Sequence, residues 1–274
     1  MKRTLFALLF ALPLALPLFA AKPISIKGSD TMVIMNARLA EAFMAKNPGV
    51  TIQVGGGGSG VGIAALLNGT TDIAASSRPV RPAEIDRLKQ RFATLGHAVP
   101  IARDGLSVYL NEKNPLRELT MQQIMDIYTG RVTNWKQVGG NDAPIILYSR
   151  ENSSGTYTYF RDNVLRGKDF APRAQTLQGT AAVVNAVAKD PNGIGYGGAA
   201  YAKGIRFAAV KKDASTPGVL PTLDNVRNGS YPISRYLYLY LRARPAGDMK
   251  KFIDWALTAE GQAIVTKVGY FPVK

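Results

Sequence analysis

The spacing of hydrophobic and polar residues predicts a unit of strand, small polar turn and helix that occurs three times in the first eighty or so residues. The strand-like runs cover 23–27, 50–54 and 72–75, the turns 28–31, 55–62 and 76–78, and the helices 32–46, 61–67 and 82–92. In the first helix an apolar face recurs at helical spacing and should meet a core: Met32, Met35, Leu39 and Phe43. Because the carboxyl ends of strands in a mostly parallel α/β sheet lie at one edge, the three turns are expected to face one cleft.

Strands and helices also alternate along the rest of the chain. Strands are predicted at 98–102, 106–110, 145–147, 194–198 and 236–241, and helices at 120–128, 157–165, 180–188, 249–257 and 260–267. Asp104 and Gly105 separate the first two of these strands as a turn or a crossover. No low-complexity linker is visible, so two lobes would be joined by ordinary strands, near 100–105 and again near 230–236.

The N-terminus has the pattern of a secretory signal peptide. Lys2 and Arg3 form the charged segment, an apolar stretch covers 5–18, and Ala20 and Ala21 offer small residues, so cleavage is expected after one or the other. The alternative is an uncleaved membrane anchor, but this stretch is short for a bilayer span and carries two prolines. We therefore take residues 1–21 as the predicted signal peptide.

The absence of cysteine from the sequence bears on where the protein works. A chain without cysteine needs no disulfides after export, and it cannot carry the lipid-modified cysteine of a bacterial lipoprotein. We therefore expect a protein of a bacterial periplasm, or a secreted one.

The composition is that of a folded and basic protein. Of 274 residues, 46% are hydrophobic and 19% are charged, so the chain can bury a core. The 34 Lys and Arg residues, less Lys2 and Arg3 of the signal peptide, exceed the 19 acidic residues by 13 in the mature chain. Such a surplus attracts anions over long range. The basic residues are scattered and form no long run, so we expect no nucleic-acid partner.

Residues that commonly perform catalysis are scarce. His97 is the single histidine, which leaves no Ser-His-acid triad and, without cysteine, no typical zinc or copper site. No pair of carboxylates clusters in a turn, as glycosidase chemistry would need. The glycine-rich turn at 55–60 matches a dinucleotide-binding pattern, but the next strand ends in Ser76, Ser77 and Arg78 without an acidic residue to hold a ribose. We therefore expect no enzyme, no metal and no cofactor.

The stretch 148–160 is physically suited to bind an anion. An apolar strand leads to Arg150, and Ser154, Gly155 and Thr156 follow before a helix-compatible segment. The first N–H groups of a helix are unpaired and carry partial positive charge, and an arginine fork matches the geometry of an oxyanion. Taken alone, the stretch is more simply a serine-capped helix.

Similar small donors follow the three strands at the start of the chain. One by one, each is most simply a cap or a turn residue. Together they describe a cage of neutral donors for a tetrahedral oxyanion, with few full counter-charges. The residues of this candidate site are Ser29, Thr31, Ser59, Ser77, Arg78, Arg150, Ser154, Gly155 and Thr156.

These motifs resemble those of a known family, the periplasmic phosphate-binding proteins of the Pst phosphate ABC transporter. The matching stretches are 28–32, 58–60, 75–79, 150–156, 193–196 and 261–272, in the family's order over nearly all of the mature chain. The most specific element is the one in which Arg150 precedes Ser154, Gly155 and Thr156. The resemblance implies a type II periplasmic binding fold, with two lobes that close on phosphate, and delivery of phosphate to an inner-membrane ABC permease. We expect a monomer.

The resemblance also implies that ligand contacts come from two lobes, each a mostly parallel sheet flanked by helices. Lobe I is predicted at 22–102 and 236–274, and lobe II at 103–235. From lobe I, Thr31 and Met32 would offer hydroxyl and backbone donors, and Ser59 would donate from the second turn. From lobe II, the ligand contacts would come from Arg150, Ser154, Gly155 and Thr156.

One turn departs from the family's pattern. Well-known members carry an aspartate in the third turn, which accepts the proton of bound phosphate and helps to reject sulfate, where this chain has Ser77 and Arg78. Asp30 of the first turn could supply that carboxylate, or it could be a plain N-cap of the helix at 32–46. Arg78 could pair with a carboxylate or touch the ligand.

Phosphate is the expected ligand, and three alternatives remain. The first is another oxyanion, such as sulfate, molybdate or tungstate. The second is a secreted phosphatase on the same scaffold. The third is an interaction protein that uses the basic surface.

Overall fold

The computed structural model describes residues 22–201 and 203–273, so the predicted signal peptide lies outside the described residues. The strands are β1 Ile24–Gly28, β2 Ile52–Gly55, β3 Ile73–Ser76, β4 His97–Leu110, β5 Glu118–Thr120, β6 Ile146–Arg150, β7 Gln175–Leu177, β8 Gly193–Gly198, β9 Arg206–Lys211 and β10 Ser234–Leu241. The helices are α1 Val33–Lys46, α2 Ser59–Asn68, α3 Pro82–Phe92, α4 Met121–Tyr128, α5 Gly155–Asn163, α6 Thr180–Lys189, α7 Leu223–Arg227, α8 Gly247–Ala256 and α9 Ala259–Val268. Short 3₁₀ helices lie at Asp30–Met32, Trp135–Val138 and Ala199–Tyr201.

Most elements expected from the sequence are confirmed, with ends that differ by a few residues. The sequence did not predict β5, β7, β9 or α7. β5 and β7 have three residues each, too few to show an alternation of apolar and polar positions. Within the described ranges, no helix is both long and apolar enough to cross a membrane.

The described strands form one mixed sheet. Its main path runs β2-β1-β3-β10-β4-β8-β6-β7, and β9 pairs with β4 and β5. The parallel pairs join β1 to β2 and β3, β6 to β7 and β8, and β5 to β9. Among the described strands, each antiparallel pair includes β4 or β10. The strands on each side of the molecule are thus parallel, as expected, and the two strands that join the sides run against their neighbours.

The structure corrects the prediction of separate strands at 98–102 and 106–110. They form one strand, β4, which pairs first with β10 and then, from Leu106 onwards, with β8. Asp104 and Gly105 are therefore a crossover within a strand and not a turn. Asp104 lies opposite Arg235 of β10, so its charge is paired inside the sheet. Gly105 is needed because a Cβ there would lie 2.6 Å from the Pro221 side chain.

The two largest of four hydrophobic clusters lie on either side of this crossing. The first contains the predicted face of the helix that begins lobe I, with residues at most 2% exposed: Met32, Met35, Leu39 and Phe43. The second contains an aromatic group in which the rings of Phe160 and Tyr196 stack with centroids 4.0 Å apart. Each side thus buries its own apolar surface.

Candidate functional site

Three turns of lobe I meet through serine hydroxyls. Ser29 follows β1 and its Oγ donates to Ser77 Oγ, after β3, at 3.0 Å. Ser59 follows the turn after β2, and its Oγ lies 3.3 Å from Ser77 Oγ and accepts the Ser77 N–H at 3.0 Å. All three residues are at most 2% exposed. Gly28 allows this approach, because its φ is +145° and a Cβ there would lie 2.1 Å from the Ala75 carbonyl oxygen.

The turn from β6 into α5 faces these serines from lobe II. Ser154 caps α5, since its Oγ accepts the N–H groups of Thr156 and Tyr157 at 3.2 and 3.3 Å. Gly155 lies against lobe I so closely that a Cβ there would be 2.2 Å from Ser59 Oγ. The two halves of the predicted site are therefore in contact.

Further hydrogen bonds join the lobes around the serines. Thr31 Oγ1 lies 2.9 Å from Thr156 Oγ1, and the Gly60 N–H donates to the Ser153 carbonyl at 2.8 Å. The Tyr201 hydroxyl donates to the Asp30 carbonyl at 2.7 Å. Burial, and then the charge of the Asp30 carboxylate, raise the pKa of Tyr201 to about 12, so this phenol remains a donor at neutral pH. The structure is that of a closed cleft.

Helix N-termini from both lobes point at the same place. α2 begins at Ser59, α5 begins at Gly155, and the 3₁₀ helix before α1 begins at Asp30. Such termini carry partial positive charge without a side-chain cation. Met32 contributes less than expected, because its side chain is buried in the core and its N–H donates to the Ser29 carbonyl at 2.9 Å.

Arg150 is buried beside the cluster, but most of its donors are engaged. Nε and Nη2 donate to the two Glu151 carboxylate oxygens at 3.0 and 2.8 Å. Nη2 also donates to Asp30 Oδ2 at 3.0 Å, and Nη1 to Thr180 Oγ1 at 2.9 Å. In this conformation the bidentate partner of Arg150 is therefore Glu151, and Arg150 also forms an ion pair between the lobes through Asp30.

Asp30 does not act as a plain N-cap. Ser29 occupies the cap position, and the Asp30 side chain accepts the Gly57 N–H through Oδ1 at 2.9 Å and Arg150 through Oδ2. Both carboxylate oxygens are thus used between turns and between lobes. The structure ties Asp30 to the closure of the cleft.

Comparison with known proteins identifies the family. A profile of the PBP superfamily domain matches residues 19–260. The phosphate-binding protein PstS of Pseudomonas aeruginosa is 33% identical over 263 residues, covering 90% of this chain and 81% of the relative. The chain belongs to the PstS family. PstS of Bacillus subtilis is 32% identical over 255 residues, covering 93% of this chain and 82% of the relative.

A solved structure agrees with the PstS assignment. It comes from Clostridium perfringens and is described as a phosphate ABC transporter substrate-binding protein with bound phosphate. It is 34% identical, has a TM-score of 0.83, and covers 92% of this chain and 100% of that one. The family and the two-lobed α/β fold expected from the sequence are confirmed. PstS is a family of solute-binding transport proteins, so the expectation of no enzyme is confirmed as well.

In the third turn of this PstS-family chain, Arg78 is paired with a glutamate. Arg78 Nη1 and Nη2 donate to the two Glu84 carboxylate oxygens at 2.9 and 2.7 Å, and Nη1 also donates to the Pro79 carbonyl. Burial by itself raises the pKa of Glu84, but hydrogen bonds from Arg78 and the Arg81 N–H bring the pKa below its ordinary value. Of the two roles left open for Arg78, the structure shows the pairing with a carboxylate. Contact between Arg78 and the ligand stays a prediction.

Arg78→Ala is expected to lower stability. The change removes two charge-assisted hydrogen bonds from a carboxylate that is 18% exposed, a loss of about 1.5–3 kcal/mol. Thermal unfolding should show a Tm lower by about 5 °C or more. Because the pKa of Glu84 is lowered in the folded state, this contribution is full above the unfolded pKa and disappears as the pH falls through the folded one.

The control for this prediction is Arg87→Ala, at an exposed arginine of α3, the helix that contains Glu84. It should leave the Tm unchanged. If Arg78→Ala kept the wild-type Tm and instead lost phosphate affinity, Arg78 would touch the ligand after all.

Sequence reasoning missed a buried ion pair next to the cluster. Arg235 of β10 donates from Nε and Nη2 to Asp104 Oδ2 at 3.0 and 2.8 Å, and the two side chains are 2% and 0% exposed. Asp104 Oδ1 also accepts the Ala199 N–H at 3.2 Å. The two residues are 131 positions apart, and only the register of β4 with β10 brings them together. Thr180, which accepts a hydrogen bond from Arg150 at the start of α6, was missed because it lies 30 positions from Arg150 and only the fold brings the two together.

Proposed function

We propose that this protein binds inorganic phosphate between its lobes and delivers it to an ABC permease. The observation that carries the proposal is the convergence of buried hydroxyls and helix N-termini from both lobes on one point. Neutral donors of this kind hold an oxyanion through hydrogen bonds and dipoles, with few full counter-charges. The PstS relatives and the phosphate-bound structure from Clostridium perfringens support phosphate as the ligand.

The proposed site combines donors from four turns. Lobe I supplies the hydroxyls of three turns, and lobe II supplies the start of α5. Asp30 and Arg150 join the lobes at its edge. The residues proposed to contact the anion through side chain or backbone are Ser29, Thr31, Ser59, Ser77, Ser154, Gly155 and Thr156.

Binding and closure are coupled in this proposal. Lobe I is assigned to 22–102 and 236–274, and lobe II to 103–235, with β4 and β10 as the connecting strands. A ligand that contacts both lobes stabilises the closed state over the open one. The contacts between Thr31 and Thr156 and between Asp30 and Arg150 belong to the closed state, so they add to the stabilisation.

The setting of this function is part of the same proposal. The predicted signal peptide exports the chain to a bacterial periplasm, or outside the cell. There the mature protein, as a monomer, captures phosphate and meets an inner-membrane permease. Its basic surface favours the approach of anions.

The test is a titration of the mature chain, residues 22–274, after removal of bound ligand by unfolding and refolding. Calorimetry should show binding of one phosphate per chain. Sulfate has no proton at neutral pH. If a buried acceptor takes a hydrogen bond from the proton of phosphate, sulfate leaves that acceptor unpaired and should bind more weakly by a factor on the order of 10⁴. A phosphatase assay on the same sample should show no turnover.

The outcomes separate the alternatives. Binding of sulfate, molybdate or tungstate in preference to phosphate would assign a different oxyanion to the same cleft. Release of phosphate from a phosphomonoester would indicate an enzyme. Retention on heparin at physiological salt without phosphate binding would favour an interaction surface.

A further inference from the structure

A basic pocket lies beside the two connecting strands. It has a volume of about 220 Å³, and its lining includes Arg103 of β4, Tyr236 of β10 and Arg227 at the end of α7. None of the residues that line it is acidic. A water molecule takes up about 30 Å³ in the liquid, so the pocket has room for a tetrahedral oxyanion and some of its water.

This pocket and the hydroxyl cluster lie on opposite faces of the connecting strands. The register of β4 with β10 places Arg103 opposite Tyr236, and Asp104 opposite Arg235. Successive side chains of a strand point to opposite faces of the sheet. Arg235 borders the pocket as well, but its guanidinium donates to acceptors on the side of the hydroxyl cluster. The pocket is therefore a separate place from the proposed phosphate cleft.

Arg103 is held in place through both its backbone and its side chain. Its N–H and C=O exchange hydrogen bonds with Phe271 at 2.7 and 2.9 Å. Nη2 donates to the Tyr236 hydroxyl at 2.6 Å, and the guanidinium carbon lies 4.8 Å from the centre of that ring. Nη1 donates to the Arg227 carbonyl at 3.4 Å. The Nε–H group and one N–H on each of Nη1 and Nη2 have no acceptor among the described residues.

We propose that this pocket is an accessory oxyanion site that takes a phosphate group, either as inorganic phosphate or as part of a larger molecule. The guanidinium groups of Arg103 and Arg227 donate to the phosphate oxygens. Asn228 adds its Nδ2 amide, since its Oδ1 already accepts the Ser230 N–H. Arg227 and Asn228 are exposed, so the rest of a larger molecule would stay in solvent.

The charges in the pocket favour an anion. Arg78 and Arg242, like other arginines of the described residues, have a carboxylate within 4 Å. Arg103 and Arg227 approach each other without one, and their like charges repel. An oxyanion between them replaces this repulsion by charge-assisted hydrogen bonds to two arginine forks.

The arrangement of the donors favours phosphate over a planar carboxylate. Arg103 comes from a strand, Arg227 from the end of a helix and Asn228 from the position directly after that helix. Their approach from different elements suits oxygens that point in several directions. Val226 is 2% exposed, so α7 is anchored in the protein and its last residues have fixed positions.

The experiment follows the guanidinium signals of the mature chain labelled with ¹⁵N-arginine by NMR. One equivalent of inorganic phosphate is present from the start, so that the proposed cleft is filled. The variants Arg103→Gln and Arg227→Gln identify the two signals by their loss. Further phosphate at physiological salt should shift both signals together, with a Kd on the order of 1 mM. In Arg227→Gln, the Kd measured from the Arg103 signal should rise by about 10-fold or more.

The matched control is Arg244→Gln. It removes the same charge at an exposed arginine that follows β10 and does not line the pocket. The Kd measured from the Arg103 signal should stay unchanged in this variant. Equal weakening in Arg227→Gln and Arg244→Gln would indicate a general attraction to the basic surface and overturn the inference, as would an Arg103 signal that phosphate does not shift. Failure of the cleft to bind the first equivalent would overturn the proposed function and not this inference.

Two further probes distinguish the sources of the phosphate group. Phenyl phosphate represents a phosphate group on a larger molecule, and acetate represents a carboxylate. If phenyl phosphate shifts the Arg103 and Arg227 signals at lower concentration than inorganic phosphate, the site takes phosphorylated molecules, and in the opposite case it takes the free ion. Acetate that shifts both signals as readily as phosphate would overturn the assignment of a phosphate site.

Discussion

Arg150→Ala is expected to weaken phosphate binding by about 100-fold or more. The change leaves the carboxylates of Asp30 and Glu151 without their shared cation, directly beside the place that a dianion must occupy. It also removes the ion pair that links Asp30 of lobe I to lobe II in the closed cleft. Calorimetry measures the affinity, and thermal unfolding without ligand measures the accompanying loss of stability.

Two further variants show how Arg150 acts. Arg150→Lys keeps the charge but cannot bind Asp30 and Glu151 with one planar fork, so its loss should be smaller than that of alanine. Asp30→Asn keeps an acceptor for the Gly57 N–H and removes the ion pair. If Arg150 works through closure, Asp30→Asn weakens phosphate and sulfate by a similar factor.

Other results with Asp30→Asn would contradict the closure role. A greater loss for phosphate than for sulfate would make Asp30 the acceptor of the ligand's proton. An unchanged phosphate affinity would mean that the ion pair between Asp30 and Arg150 does not contribute to binding, and a tighter one would mean that Asp30 competes with the ligand for Arg150. Unchanged affinity in Arg150→Ala would remove Arg150 from the site altogether.

The turns that form the site could be predicted because their signals are local. A short apolar run followed by glycine, serine and threonine predicts a strand end and a helix start wherever it occurs. The parallel arrangement of β1, β2 and β3 then places Ser29, Ser59 and Ser77 at one edge without further information. For these three serines, the sequence predicts both the turn in which each lies and the edge of the sheet at which that turn is placed.

The partners of the charged side chains could not be predicted in this way. Arg78 and Arg150 both lie at strand ends and were both candidate ligands, but one is held by Glu84 and the other by Glu151 and Asp30. The position of an arginine in a turn does not fix the direction of its long side chain. Two local signs of such pairs were present: Glu84, six residues after Arg78, and Glu151, directly after Arg150.

The misjudged strand β4 has a related cause. An aspartate followed by a glycine between two apolar runs is a common sign of a turn. Here the same two residues are compatible with a strand, because Arg235 neutralises Asp104 and Pro221 packs where a side chain of residue 105 would lie. Arg235 and Pro221 both come from distant parts of the chain. The charge of Asp104 therefore indicates a loop when only its neighbours in sequence are considered, although in the fold it belongs to a buried ion pair.

Gly155→Ala is expected to hold the lobes apart and to weaken phosphate binding without weakening the fold. Gly155 begins α5 outside the left-handed region of φ, and alanine is at least as favourable as glycine in a helix. The added Cβ would lie 2.2 Å from Ser59 Oγ and 2.7 Å from Ser77 Oγ, and these contacts exist only when the cleft is closed. Overpacking of this kind costs about 1–3 kcal/mol, or about 5- to 150-fold in affinity.

Two glycines of lobe I provide a graded comparison for Gly155→Ala of lobe II. A Cβ at Gly60 would lie 3.2 Å from the Ser153 carbonyl across the same cleft, whereas the nearest atom to a Cβ at Gly55 is 4.0 Å away. Phosphate affinity should therefore be unchanged in Gly55→Ala, slightly lower in Gly60→Ala and lowest in Gly155→Ala. Small-angle scattering with saturating phosphate should show a larger radius of gyration for Gly155→Ala than for the wild type. Equal affinities across the series, or a lower Tm for Gly155→Ala without ligand, would mean that the contact between Gly155 and the serines does not limit closure.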